Sequence, residues 1–257
     1  MKFVQKIAVK SQKERKNAIV GALQNMGAKY YVQKGWAGLH RTQNIVVSCN
    51  PSNSRLVVGA HWDSVKGSTG ANDNASGCSV LLHLIESLKD TKRSIDFVFF
   101  DREEVKGHGS ETYLAKVGKQ NISAMINLDM CGHGENIVVS DKGNKNNPLF
   151  VRALDTATIN SHQVTTVFYL PNGDDDRFDE AHIPNISVCT LGKSDLEFFQ
   201  YIGQLLQEEK MPTEEDQKKF MNLDVISTMH LGANDNIAAV SQSAIDKVAS
   251  WLTDGLR

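Results

Sequence analysis

The chain has 257 residues, a formal net charge of −2, 23% charged residues and 40% hydrophobic residues. That balance is too apolar for a disordered chain, and too neutral to draw the protein to nucleic acid or to an anionic membrane. No run of about 18 apolar residues occurs, which removes a spanning helix, and Cys49, Cys78, Cys131 and Cys189 form no CxxC pair, which removes a dithiol redox site and a cysteine zinc knuckle.

The N-terminal stretch MKFVQKIAVKSQKERKNAIV is basic and lacks both an apolar core and a small-residue cleavage site. It reads as the polar face of a first helix, and the expected location is cytoplasmic. Helical spacing predicts that helix over 11–26, with Ile19, Val20 and Leu23 on its apolar side and Gly27 as its stop. β-Branched runs predict strands over 44–49 and 55–60. The loop 61–74 is rich in Gly, Ser, Asn and Asp. A strong helix follows over 75–88, in which Val80, Leu81, Leu84, Ile85 and Leu88 form a core-facing stripe. Further strands are predicted over 94–100, 122–128, 136–140, 165–170 and 186–191, with helices over 111–117, 150–159, 195–207 and 236–252. Strands alternating with helices predict an α/β fold with a mostly parallel sheet. No Pro/Gly/Ser linker divides it, so a single domain over 1–257 is expected, with a helical excursion at about 195–226. In such sheets, functional groups gather at the carboxyl ends of the strands.

Several predicted strands end in acids or imidazoles. RLVVGA ends at His61, SIDFVFF ends at Asp101 with Glu103 and Glu104 close behind, and SAMINL ends at Asp129. Asp73 lies in the Gly-rich loop and His230 in a loop before the last helix. Buried ionised groups are costly unless paired or coordinated, so converging anions imply a cation between them. Imidazole with carboxylate is a zinc-type donor set, whereas magnesium and calcium prefer oxygen alone. Two histidines and three carboxylates exceed one tetrahedral site. They suit two ions about 3.5–4 Å apart that share a carboxylate and a water. The His61-Trp62-Asp63 spacing lets Asp63 accept the other ring N–H of His61. One of Glu103 and Glu104 can ligate while its neighbour serves as a general base.

The stretches GAHWDSVKGSTGANDNASG, VFFDREEVKGHGS, MINLDMCGHG and MHLGANDN, in order from about Leu56 to Asn236, resemble metallopeptidase family 28, the zinc aminopeptidases with two co-catalytic metals. The glutaminyl cyclases share that fold. The resemblance implies a three-layer α/β/α sandwich around a mixed sheet. It implies that His61 and Asp129 hold one ion, that Glu104 and His230 hold the other, and that Asp73 bridges them. Glu103 matches the general base and Asp63 the partner of His61. The implied cofactors are two divalent ions, zinc in the family. The implied activity is a metallo-aminopeptidase that hydrolyses the N-terminal residue of peptides with a free N-terminus. Two alternatives share the scaffold: a glutaminyl-peptide cyclotransferase with a single zinc, and a catalytically inactive binding module. Cyclases commonly carry Trp just before the final histidine, where this chain has Met229.

The match has departures. Relatives often read Ser-Asp-His-x-x-Phe leading to Gly-Ile-Pro. Here Phe178, Ile183 and Pro184 keep their places, while Gly173, Asp175 and His182 differ. The acidic run Asp174, Asp175 and Asp176 is expected to line the pocket and favour a cationic N-terminal residue. Several aminopeptidases use a Tyr near the last histidine to assist the oxyanion, and Met229 supplies no such donor. Of the remaining histidines, His133 and His182 lie nearest the expected site. The 195–226 excursion has the length of a lid, an oligomer contact or a surface addition.

Overall fold

The structure is a computed structural model, which describes residues 2–140 and 154–257. Two helices open the chain, α1 (Val4–Ile7) and α2 (Gln12–Asn25), the second capped by Ser11, whose side chain accepts the Glu14 N–H. A hairpin follows, β1 (Tyr31–Ala37) and β2 (His40–Cys49). β3 (Arg55–His61) runs through the long loop into α3 (Gly77–Ser87), and β4 (Ile95–Phe100) leads to α4 (His108–Val117). Next come β5 (Ile122–Leu128), β6 (Asn136–Ser140), α5 (Thr156–Ser161), β7 (Thr165–Val167), α6 (Asp175–Glu180) and β8 (Asn185–Leu191). The chain closes with α7 (Lys193–Gln207), α8 (Glu214–Met221), α9 (Asp224–Ser227) and α10 (Gln242–Leu256).

The strands form one eight-stranded sheet in the order β1-β2-β4-β3-β5-β8-β6-β7. β3 pairs in parallel with β4 and β5, β5 with β8, and β6 with β7, while the remaining neighbours are antiparallel. Side chains alternate across a strand, and the central strands are apolar on both faces, which requires cover on both sides. On one face Val58, Ala60, Phe97 and Ile126 pack with Leu23 of α2, Leu81 of α3 and Trp251 of α10. On the other, Val57, Val98 and Met125 meet Tyr113 of α4 and Phe178 of α6. Farther along that face, Val138 and Leu191 meet Phe199 of α7 and Val225 of α9. The result is an α/β/α sandwich around a mixed sheet. Each fully buried Leu, Phe or Val in it contributes roughly 1.5–3 kcal/mol.

β1, α1 and α6 have no counterpart in the sequence reading. β1 reads YVQKGWA and lies at the sheet edge, where one strand partner suffices and polar residues are tolerated, so its pattern is weak. The strand predicted over 165–170 stops at Val167. The closing helix begins later than predicted, because Asn236 caps a separate short turn and Ser241 caps α10. The helix predicted over 150–159 falls partly outside the described residues; the described part is α5, capped by Asp155. The excursion forms α7 to α9. The Asp195 carboxylate accepts the N–H groups of Asp224 and Val225, which fastens α9 to α7. Among the described residues, no helix is long and apolar enough to cross a membrane. All four cysteines are free thiols.

Candidate metal centre

Parallel strands β4, β3 and β5 end side by side, and their carboxyl ends deliver four of the groups. His61 is the last residue of β3, Glu103 and Glu104 follow β4, and Asp129 follows β5. Asp73 lies in an irregular helical turn, Ala71–Ser76, in which Asp73 and Asn74 leave helical dihedrals. His230 comes from the loop between α9 and α10. Four non-glycine residues of these loops adopt the left-handed region: Arg102 (φ 59), Lys106 (φ 67), Met130 (φ 59) and His230 itself (φ 54). Such backbone is held only where surrounding contacts over-determine it.

These loops bring all five expected ligands together. Two triads, His61/Asp73/Asp129 and Asp73/Glu104/His230, each have their donor atoms within 4.8 Å of one another. Asp73 belongs to both. Its Oδ1 lies 3.2 Å from His61 Nε2, and its Oδ2 lies 3.7 Å from His230 Nε2. His61 Nε2 is 3.5 Å from Asp129 Oδ1, and His230 Nε2 is 3.4 Å from Glu104 Oε2. Tetrahedral bonds of about 2.0–2.1 Å put neighbouring donors about 3.3–3.4 Å apart, so these separations are those of donors around a common centre.

Glu103 sits at the rim of the first triad, with Oε2 4.0 Å from His61 Nε2. Asp63 differs from the sequence reading in what it holds. Its Oδ1 stands 3.5 Å from His61 Nδ1, but its two oxygens accept the backbone N–H groups of Glu103 at 3.0 Å and Glu104 at 3.3 Å. Asp63 therefore fixes the Glu-Glu pair as well as flanking the imidazole.

Crowded carboxylates hold protons. Burial lifts Glu103 well above the ordinary carboxylate range against the pull of His61, with Asp129 and Asp174 adding to it. Burial raises Glu104 to about 8, helped by Asp73, and raises Asp129 against the pull of His61. Burial opposes charge on His61, but Asp129 and Glu103 raise it well above the usual imidazole value. Burial also opposes charge on Asp73, yet the hydrogen bond and charge of His61, together with His230, hold it below its usual value. Asp129 Oδ1 is buried without a hydrogen bond. A divalent cation would satisfy that acceptor and displace those protons, and the nitrogen–carboxylate donors match a zinc-type ion. The residues present fit the group.

Buried asparagines, which the sequence reading missed, tie these loops together. Asn74 Nδ2 donates to the Leu128 carbonyl at 2.8 Å, while its Oδ1 accepts from Gly77 N at 2.9 Å and Met130 N at 3.3 Å. Asn72 donates to Thr228 Oγ1 at 2.8 Å and accepts from Gly132 N at 3.0 Å. Asp235 accepts the Asn72 N–H and the Ser68 hydroxyl. The one available signal was the pair of asparagines flanking Asp73 in GANDNASG, a pattern that reads first as turn chemistry.

A cavity of about 370 Å³ opens beside the cluster. Asp73, Glu103, Glu104, Asp129 and His230 form one end; Leu191, Phe199, Val225, Ile226 and Met229 form an apolar wall. The excursion thus lines this cavity through Phe199, Val225 and Ile226. The acidic run behaves otherwise than expected. Asp174 and Asp175 are each 1% exposed and do not line the cavity. Asp175 Oδ1 accepts from Gly173 N at 3.0 Å and Asn127 Nδ2 at 3.2 Å, and burial raises Asp174 to about 7. Asp175 thus braces its own loop, whereas Asp174, buried just before α6, lies close enough to the cluster to act on Glu103. His133 contacts Asp224 Oδ2 at 2.7 Å and the Ala239 carbonyl at 3.0 Å, apart from both triads, and His182 is exposed.

A sequence profile described as peptidase family M28 matches residues 44–252. Aminopeptidase YwaD of Bacillus subtilis is 37% identical over 100 residues, 35% of this chain and 22% of that protein. The solved zinc aminopeptidase BSAP from Bacillus subtilis superposes with a TM-score of 0.63 at 21% identity, over 85% of this chain and 50% of that one. Glutaminyl cyclase from Porphyromonas gingivalis superposes with a TM-score of 0.72 at 20% identity, over 99% of this chain and 95% of that one. The chain thus spans about a fifth of the curated relative's length and half that of the solved aminopeptidase, while the two structural likenesses speak for the fold. With four-fifths of its length inside the matched profile, the chain belongs to peptidase family M28.

Proposed function

We propose that the chain is a metal-dependent exopeptidase, an aminopeptidase that hydrolyses the N-terminal residue of peptides. The observation that carries this reading is the sharing of Asp73, one oxygen toward each of two complete donor triads. In this reading His61 and Asp129 serve one ion, Glu104 and His230 the other, and Asp73 both. Two divalent ions, zinc by preference, would lower the pKa of the attacking water and polarise the scissile carbonyl. Glu103 takes the proton of that water and passes it to the leaving amine. Its position is supported by Asp63, which holds its peptide N–H. The acidic rim pairs with the free α-amino group of the substrate and so restricts cleavage to the chain end. The wall of Leu191, Phe199, Val225 and Ile226 suits an aliphatic or aromatic first side chain, in place of the cationic one expected from the acidic run.

A second reading, glutaminyl cyclisation with one zinc, is favoured by the near-complete mutual coverage with the Porphyromonas gingivalis cyclase. One experiment separates the two. The purified protein is analysed for metal, then given Leu, Phe, Lys and Gln peptides with free or acetylated N-termini, with and without chelator. The aminopeptidase reading expects about two ions per chain, release of free Leu and Phe, no action on acetylated peptides and loss of activity with chelator. Loss of ammonia from the Gln peptide with its length intact, on one ion per chain, would replace it with the cyclase.

A further inference from the structure

Arg15 is the largest charged side chain with no exposed surface in the molecule's described part, at 0% relative exposure. It projects from the same face of α2 as Ile19 and Leu23, whose burial in the core anchors the helix. Among the described residues it forms no ion pair. Its guanidinium donates only to backbone carbonyls: Nε to Trp62 at 2.8 Å, Nη1 to Thr69 at 2.5 Å and to Gly70 at 3.2 Å, and Nη2 to Asp63 at 3.4 Å. One turn earlier, Gln12 Nε2 donates to the Ser64 carbonyl at 2.8 Å. All five acceptors lie in the irregular segment between His61 and Asp73. The segment is shaped around the fork: a Cβ on Gly70, already at φ +55, would stand 2.7 Å from Arg15 Nη1.

This segment starts at His61 and ends at Asp73, and it also carries Asp63. Beyond Trp62, whose N–H still donates to the Phe100 carbonyl of β4 at 2.8 Å, it has no strand partner, and each residue ordered there loses about 1–2 kcal/mol of backbone entropy. A planar five-donor guanidinium can gather several carbonyls at once, which an ammonium cannot do in the same geometry. The segment's carbonyls turn toward Arg15, while the side chains of His61 and Asp73 meet in the ligand cluster. The guanidinium also places a buried positive charge where Asp63, Asp73 and Asp235 act on it.

We propose that Arg15, seconded by Gln12, is a positioning residue for the metal centre: it clamps the 62–70 segment so that His61 and Asp73 stand at ligating distance. Arg15 precedes the residues matched by the family profile, 44–252. The N-terminal helix is therefore part of the build of the site. The inference rests on the divalent-cation centre of the proposed function, and its test is a binding measurement that needs no peptide cleavage.

The full chain is stripped with chelator, and zinc affinity is measured by competition with a chromogenic chelator for wild type, Arg15→Lys, Gln12→Ala and Arg55→Lys. Arg55 sits at the opposite end of β3, bonded to Asp96 at 3.1 Å, and controls for general destabilisation. Arg15→Lys is expected to lose about 10–100-fold in zinc affinity, the range usual for residues that orient ligands, and Gln12→Ala several-fold. Arg55→Lys is expected to keep wild-type affinity while lowering the unfolding temperature. Cobalt loaded into Arg15→Lys should show an altered visible spectrum, which a loss of fold stability alone does not produce. Unchanged affinity in Arg15→Lys overturns the inference and leaves the reading of the site intact. Absence of zinc binding by the wild type overturns that reading and the inference with it. Should Arg15→Lys fail to fold, Gln12→Ala decides: wild-type affinity there overturns the clamp.

Discussion

The side chain of Asn74 brackets Asp129: it donates to the carbonyl of the residue before, Leu128, and accepts the N–H of the residue after, Met130. One carboxamide thereby sets the distance between the turn carrying Asp73 and the strand end carrying Asp129. Asn74→Ala leaves buried partners unmet and should cost about 1–3 kcal/mol in stability, with zinc affinity falling about tenfold or more. Chemical denaturation and chelator competition measure the two. Wild-type zinc affinity in the folded variant would show that Asp129 is placed without this bracket.

Glu103 stands beside the first triad without belonging to either one. Glu103→Gln keeps the backbone N–H that Asp63 accepts but cannot take a proton. Metal content and melting temperature should stay at wild-type values while turnover falls about 10²–10⁴-fold. Turnover near wild type would assign the base elsewhere.

The raised carboxylates make a prediction about pH. Glu104 titrates at about 8 in the folded protein, against an ordinary glutamate value near 4.3. Between those values the folded state holds a proton that the unfolded chain has released, so stability falls as pH rises through the window. Asp174, at about 7, acts in the same direction. Metal-stripped protein should therefore melt at lower temperature at about pH 8.5 than at about pH 5.5, whereas zinc-loaded protein should be much less sensitive, and zinc uptake near neutrality should release protons. Calorimetry with a pH-indicator titration reads both. A melting temperature of the stripped protein that climbs across this window would contradict the assigned protonation.

The apolar wall predicts selectivity. Val225→Asp, on α9 facing the cavity, should shift preference from Leu toward Lys or Arg substrates, chiefly through KM. Parallel progress curves on Leu and Lys amides measure the ratio. An unchanged ratio would mean that the first side chain binds away from this wall.

Most of what the sequence conveyed came from places where local chemistry and fold agree. VFFDREE ends a fully buried strand in carboxylates, and an α/β sheet gives such a terminus one meaning. His61, Asp73, Asp129, His230 and the Glu103–Glu104 pair could be read from that conflict between burial and charge, while the choice of Glu104 as the ligand came from the family resemblance. What stayed hidden depends on long-range pairing. Asn74 is an ordinary turn residue until Leu128 and Met130 lie across from it, and Arg15 looks like one more base on a polar helix until four backbone carbonyls gather around its guanidinium. The acidic run misled for a similar reason: three consecutive aspartates look like a pocket lining for a cation, yet the turn into α6 buries Asp174 and Asp175.

His61 is 2% exposed and His230 is 52% exposed. The centre is therefore lopsided, sealed beneath and open above. In a two-ion centre, the half that carries His230, the most exposed of the five ligands, is expected to yield its ion to a chelator first. A partly stripped preparation would then be a mixture ordered by depth, its composition set by how long it was dialysed.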